Sequence, residues 1–170
     1  MVQNVRITGT GQLLELSRKL RAAGHENIRN SYARRLRRAA EPLQSDLQDT
    51  IRNLSIQSQT RKAGGRGGRS PTTRPLRDSI ARAVRISVRV TGNPGAKVWL
   101  DRARLPPDIP MGVVNRLNEG RLRHPVFGNR RRWAQQTTTP LWWDNTVRAH
   151  QGRITREVER VTDDVRRRLE

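Results

Sequence analysis

Cysteine is absent from the 170 residues, which excludes a disulfide framework, thiol chemistry and any cysteine-based zinc site. Aromatic residues make up only 4% of the chain and apolar residues 33%, so its core is small for a single domain of this length. A chain of this kind carries long arms or loops, or completes its core against other subunits. No apolar run approaches the roughly 20 residues that a bilayer span needs. The opening MVQNVRITGTG also lacks the apolar stretch of a signal peptide. A protein that is soluble and intracellular where it is made, with no membrane partner, is therefore expected.

Catalytic constellations are missing as well. His25, His124 and His150 fall on three different segments without HxxxH or HExxH spacing, so no metal site is expected. His124 precedes Pro125 and reads as a packed or capping group. Outside the helical patterns the carboxylates are Asp101, Asp108 and Glu119, flanked by Arg, Pro or Gly, and nothing pairs them as acid and base. The glycines of AGGRGGRS lack the following Lys-Ser/Thr of a phosphate-binding loop, and neither GxGxxG nor GxSxG occurs. The expectation is a non-enzyme without a cofactor.

Positive charge is what the chain has in excess. Lys and Arg total 35 against 15 Asp and Glu, a net charge of +20, and only Lys19, Lys62 and Lys97 are lysines. Such a balance points to polyanions or acidic protein surfaces as partners. GC-rich coding also produces an arginine bias without selection for binding. The excess is uneven: residues 1–60 carry +5, 61–91 carry +8, 92–140 carry +6 and 141–170 only +1.

Hydrophobic periodicity divides the chain into elements. Val5 and Ile7 alternate with Arg6 and Thr8 as a short strand in Val2 to Thr8. Leu13, Leu16, Leu20 and Ala23 predict a short helix over 12–23, capped by Thr10 and ended by Gly24. Ile28, Tyr32, Leu36, Ala40, Leu43, Leu47, Ile51 and Leu54 advance by three or four residues, which predicts one long helix kinked at Pro42. Arg34, Arg35, Arg37 and Arg38 lie mostly off that stripe, where a solvated helix face is the commoner reading and a nucleic-acid grip the rarer one.

Ser55 to Pro75 is expected to be a flexible basic loop of Gly, Ser, Thr and Pro. Its Arg61, Lys62, Arg66, Arg69 and Arg74 are candidate contacts to DNA or to a protein partner. The AGGRGGRS core resembles arginine–glycine segments that touch nucleic acid. An arm that orders on meeting a neighbouring subunit is the commoner reading of such a loop.

Leu76 to Ala83 suits a turn or two of helix, and Val84, Ile86, Val88 and Val90 alternating with Arg85, Ser87, Arg89 and Thr91 give the clearest strand. Gly92-Asn93-Pro94-Gly95 turns the chain into a return strand with Val98 and Leu100 on one face. Trp99 falls on the other face, beside Arg85 and Arg89, where it either stacks with Arg or seals a subunit contact. Arg102 to Pro110 reads as an extended connector. Val113, Val114 and Leu117 predict a short helix ended by Gly120.

Gly120 to Trp143, GRLRHPVFGNRRRWAQQTTTPLWW, concentrates three of the four Trp and the only Phe. It reads as an extended Val126-Phe127, a turn at Gly128-Asn129 and a strand over Trp133 to Thr138. Trp133 and Gln135 share one face of that strand, Ala134 and Gln136 the other. Phe127 and Trp133 are expected to anchor the fold, and Trp142 and Trp143 to brace the start of the last helix. Arg130, Arg131 and Arg132 are left to meet a partner. Asp144 is the expected N-cap of a final helix over 144–170, whose Val147, Ile154, Val158, Val161, Val165 and Leu169 form one face that docks on the sheet or on a neighbour.

The order of these elements, with LNEG ending at Gly120, Arg123-His124-Pro125, Phe127-Gly128, Trp133 and PLWW, resembles a known family. It is similar to the neck and tail-completion proteins of long-tailed bacteriophages, especially those infecting GC-rich actinobacteria. The likeness covers nearly the whole chain, and its residue matches lie in Asn118 to Trp143. It implies a single α+β domain with a small antiparallel sheet against long amphipathic helices. It also implies a virion structural protein, assembled in the host cytoplasm and resident in the neck.

Such proteins form closed rings, commonly of six or twelve subunits, that join the DNA-filled head to the tail and leave a channel for DNA. Partners would be further copies, connector, stopper or tail-tube proteins, and the genomic DNA in the lumen. A lumen lined by the basic loop would hold DNA strongly and salt-dependently. Docking of most Arg on acidic faces of neighbouring rings is therefore favoured. A small basic nucleic-acid-binding accessory protein is the alternative.

Overall fold

A computed structural model of the chain describes residues 5–8, 15, 18, 26–58, 76–91, 94–126 and 129–167. Elements in chain order are β1 (Val5–Thr8), α1 (Glu26–Asn53), β2 (Ile56–Ser58), α2 (Leu76–Ala83), β3 (Val84–Arg89) and β4 (Gly95–Leu100). They continue with α3 (Met111–Asn118), β5 (Arg121–Val126), β6 (Asn129–Thr138) and α4 (Trp142–Arg167). The expected helix over 12–23 and most of the basic loop, 59–75, lie outside the described residues. The α+β class is as the sequence implied, but the strands form two antiparallel sheets of order β1-β4-β3 and β2-β6-β5.

Helix α1 is the axis of the core. Tyr32, Leu36, Ala40, Leu43, Leu47 and Ile51 are fully buried along it. Burying one side chain of this size contributes roughly 1.5–3 kcal/mol, so this stripe dominates the stability of the fold. The helix runs through Pro42 as a single element. One flank of α1 takes α2 and the inner face of the β1-β4-β3 sheet, with Val84, Ile86, Val98 and Leu100 in the same cluster. Chain passage from α2 into β3 has no loop, and Gln44 Nε2 donates to the Val84 carbonyl at 2.8 Å, satisfying a group the junction would otherwise orphan.

The other flank of α1 takes α4. The heptad-like face of α4 docks mainly on a helix of the same chain, and the helix also touches β1 of the sheet. Ile154, Val158, Val161 and Val165 are buried against α1. Polar pairs mark the seam: Thr50 with Thr146 at 3.3 Å, Asp46 with His150, and Arg35 with Asp164 at 2.7 Å. Partner numbers rise on α1 as they fall on α4, so the helices are antiparallel. Tyr32 sits at the same seam, and burial pushes its phenol up to about 12 against a smaller lowering by the Thr162 hydroxyl.

The hydrogen bond from the Arg35 guanidinium, then that from Arg167, holds the Asp164 carboxyl below its usual 3.8. A depressed carboxylate contributes stability above its unfolded-state value and loses it as pH falls through the folded one. Asp164→Asn is therefore expected to lower the urea midpoint at pH 7, modestly because the pair is partly exposed. The gap from the parent should be narrower at about pH 3. Urea titrations at the two pH values check this, and an equal gap at both would sink it.

Candidate partner-docking surfaces

Two surfaces carry cations that no carboxylate of the described residues neutralises, and each belongs to one sheet. On the helices part of the charge is neutralised. Arg35, Arg52, Arg82, Arg160 and Arg167 all form ion pairs with acids on their own or a neighbouring helix. Arg34, Arg37 and Arg38 of α1 are exposed, as the solvated reading expects, and form no ion pair among the described residues, so unmatched charge also sits on helices.

The first surface is the β5–β6 hairpin. Gly120 starts it with φ +85, a left-handed conformation in which a side chain is strained. A Cβ there would also stand 3.0 Å from Pro140 and 3.2 Å from the Thr138 carbonyl. Arg121, Leu122, Arg123, His124 and Pro125 then pair with Thr137, Gln136, Gln135, Ala134 and Trp133 in turn. Strand alternation puts Arg121, Arg123, Trp133 and Gln135 on one face, all exposed. Leu122 and Ala134 take the other face and are buried.

The next pair is Val126 with Asn129, so Arg130, Arg131 and Arg132 have no partners on β5 and form a bulge. All three are exposed. Two hydrogen bonds shape the bulge: Trp133 Nε1 donates to the Arg130 carbonyl at 2.8 Å, and the Arg131 amide donates to Asn129 Oδ1 at 2.9 Å. Arg123 lies over the Trp133 ring, 4.8 Å from its centroid. An open recess of about 580 Å³ between this hairpin and α3 adds Arg116 to Arg121 and Arg123, with Glu119 as its one acid.

Trp133 is therefore not a fold anchor. It is 43% exposed, because the core-facing slot of that strand belongs to Ala134. Phe127, its expected companion, lies outside the described residues, as do Arg61, Lys62, Arg66, Arg69 and Arg74. Trp142 and Trp143 do brace the helix start, buried and packed edge to face at 5.7 Å between centroids.

Asp144 is not the N-cap of α4. Helix α4 begins earlier, at Trp142, and its cap comes from α3: Asn118 Oδ1 accepts from the Trp143 amide at 2.9 Å. Asn118 Nδ2 donates to Asp144 at 2.7 Å, and the Asn118 carbonyl accepts from the Leu141 amide at 2.6 Å. The sequence contained Asn118 but no local signal that it reaches a helix more than twenty residues on.

The second surface is the open face of the β1-β4-β3 sheet. The register places Arg6 beside Lys97, Lys97 beside Ser87, and Trp99 beside Arg85. Trp99 is half-buried and has Lys97 5.4 Å from its ring centroid, so its cation partner is Lys97 rather than an arginine. The connector after β4 is not simply extended: Asp101 caps a 3-10 turn over Arg102–Arg104 by accepting from the Ala103 amide at 3.1 Å.

No family model, curated protein or solved structure matches the chain. What the surfaces can do chemically therefore rests on their own residues. Among the described residues no cluster of His, Asp or Glu could hold a metal ion, and no helix is long and apolar enough to cross a membrane. His124 Nδ1 donates to the Pro125 carbonyl at 3.1 Å, and His150 faces Asp46.

Proposed function

We propose that this chain is a structural protein of a phage neck, which assembles with copies of itself into a ring joining the DNA-filled head to the tail. The observation that supports this reading best is the β5–β6 hairpin. Beyond Ala134 strand β6 is exposed on both of its faces, from Asn129 to Trp133. A two-stranded ribbon with no layer against it is marginal in water. One that carries a bulged arginine triplet and a half-exposed indole gains its stability on a partner surface. Arg and Trp are also the residue types that anchor protein interfaces.

Heterologous docking of such an arm onto the next copy closes into a ring when the rotation permits. The small core is consistent with a subunit completed in an assembly. Residence in the neck, a lumen for DNA, and connector, stopper or tail-tube proteins as neighbours belong to the same proposal. They rest on the resemblance of Asn118 to Trp143.

Native mass measurement and negative-stain imaging of the full chain, alone and with candidate neck partners, test the reading. The expected result is a large closed ring. A monomer that persists with every partner would overturn it. The alternative, a nucleic-acid-binding accessory protein, predicts a monomer or dimer that binds DNA in solution with a steep salt dependence.

A further inference from the structure

We infer that the open face of the β1-β4-β3 sheet is a docking surface for the phosphodiester backbone of DNA. This goes beyond the ring reading and does not depend on it. Arg6, Lys97, Arg85 and Arg89 all project from this face, since each occupies the alternate position to the core-facing Val5, Val98, Val84, Ile86 and Val88. Arg6, Arg85 and Arg89 are exposed, and Lys97 is partly so. No carboxylate among the described residues pairs with any of them. Ser87 adds a hydroxyl in the middle of the array.

The spacing suits a polyanion. Neighbouring strands lie about 4.8 Å apart and alternate residues of one strand about 6.8 Å apart, so the cations form a flat lattice and not a single pocket. Trp99 stands at one end of the lattice, over an open recess of about 760 Å³ lined by Lys97, Asp101, Arg102 and Met111. A half-exposed indole beside cations offers a stacking plate for a sugar or an unpaired base.

An acidic protein partner is a poorer fit to this face. Stable protein interfaces place apolar groups at the centre and leave charge to the rim. Here the centre is Lys97 and Ser87, and the large apolar group of this face among the described residues, Trp99, is at the end of the central strand. The β5–β6 hairpin has the opposite arrangement, with Trp133 amid its arginines, which suits a protein partner. The two basic surfaces thus divide the work. Contacts that read only phosphate carry no base specificity and let DNA slide, which is compatible with transit of a genome.

Fluorescence anisotropy of the full chain with a labelled duplex of about 25 base pairs, titrated between about 50 and 200 mM NaCl, tests the assignment. The sheet-face variant is Arg85→Gln/Arg89→Gln/Lys97→Gln, and Arg130→Gln/Arg131→Gln/Arg132→Gln removes the same charge from the hairpin. Loss of three phosphate contacts lowers the slope of log K against log salt by about 2.7, and that is expected of the sheet-face variant alone. The double variant Arg85→Gln/Arg89→Gln, expected to lower the slope by about 1.8, serves if the triple fails to fold.

An unchanged slope in the sheet-face variant overturns the inference. So does an equal loss in both variants, which would mean net charge and not this face. Displacement of the duplex by polyglutamate at equal charge would also overturn it, by showing that any polyanion, protein included, is accepted. Oligomeric mass is read separately, so failure of the ring and failure of this face are distinguishable.

Discussion

Replacing Trp143 with Ala is expected to destabilise the protein by about 3–5 kcal/mol, whereas Trp133→Ala should cost about 1 kcal/mol or less. The residues are ten apart and chemically identical, so burial alone sets the difference. Trp143 is 1% exposed at the point where α4 leaves the hairpin, and Trp142 packs on it edge to face. Its removal leaves a cavity between helices that are fixed by their own packing and cannot collapse to fill it. A loss of that size lowers the melting temperature by roughly 6–20 °C for a chain of this length.

Trp133 is 43% exposed and holds only its cation–π contact with Arg123 and one hydrogen bond to Arg130. Those are worth a fraction of a kilocalorie to about 1 kcal/mol in an exposed setting. Its expected effect falls on assembly instead: Trp133→Ala should fold normally and fail to form the large ring. Thermal unfolding and native mass of both variants check the pair. Similar melting losses in the two would mean that the hairpin is part of the core, and the docking reading would fail with it.

The contrast also shows how far the sequence could be read. Periodicity decides elements whose pattern is long: the seven apolar positions of α1, and Leu54 just after it, are buried or packed on the core, and β3 alternates as its sequence does. Gly120 was legible because a terminator after a short helix has one common physical form. What escaped were features that depend on distant partners. Which face of β6 meets the core cannot be told from Trp133-Ala134-Gln135-Gln136, since large and small residues both suit a buried slot. Strand β2 is three residues long, and its pattern exists only in its pairing with Gln136, Thr137 and Thr138 of β6.

The division into two sheets has the same origin. The first strand crosses more than eighty residues to join β4, and no local pattern states whether it will pair there or with the later hairpin. The functional surfaces were half legible for a related reason. Arg130 to Arg132 announce themselves as a triplet, but that they bulge out of register follows only from the step between Pro125 and Val126. Arg6 and Lys97 are isolated in sequence and meet only because β1 lies on β4.

Asn118→Ala should lower stability by about 2–4 kcal/mol, more than its size suggests, because the side chain ties the end of α3 to the start of α4 through two hydrogen bonds. It is 1% exposed, at the end of α3, and its amide spans the helix start at Trp143 and the carboxylate of Asp144. Truncation leaves the Trp143 amide buried without an acceptor, which costs about 1–3 kcal/mol, and removes a bond to a charged group worth about 1.5–3 kcal/mol. The backbone bond from Leu141 to the Asn118 carbonyl remains, but Leu141 has φ 57, outside the range a leucine prefers. Weakening its neighbour's cap removes part of what holds that conformation.

A double-mutant cycle with Asp144→Ala separates cap from packing. If Asn118 acts through its two hydrogen bonds, the double variant should cost less than the sum of the singles, by about 1 kcal/mol or more. Strict additivity in thermal or urea unfolding would mean that Asn118 matters only as buried volume. A coupled result would place the joint between α3, the hairpin and α4 at this one amide. Loosening it should then disturb the docking hairpin before it disturbs the α1–α4 core.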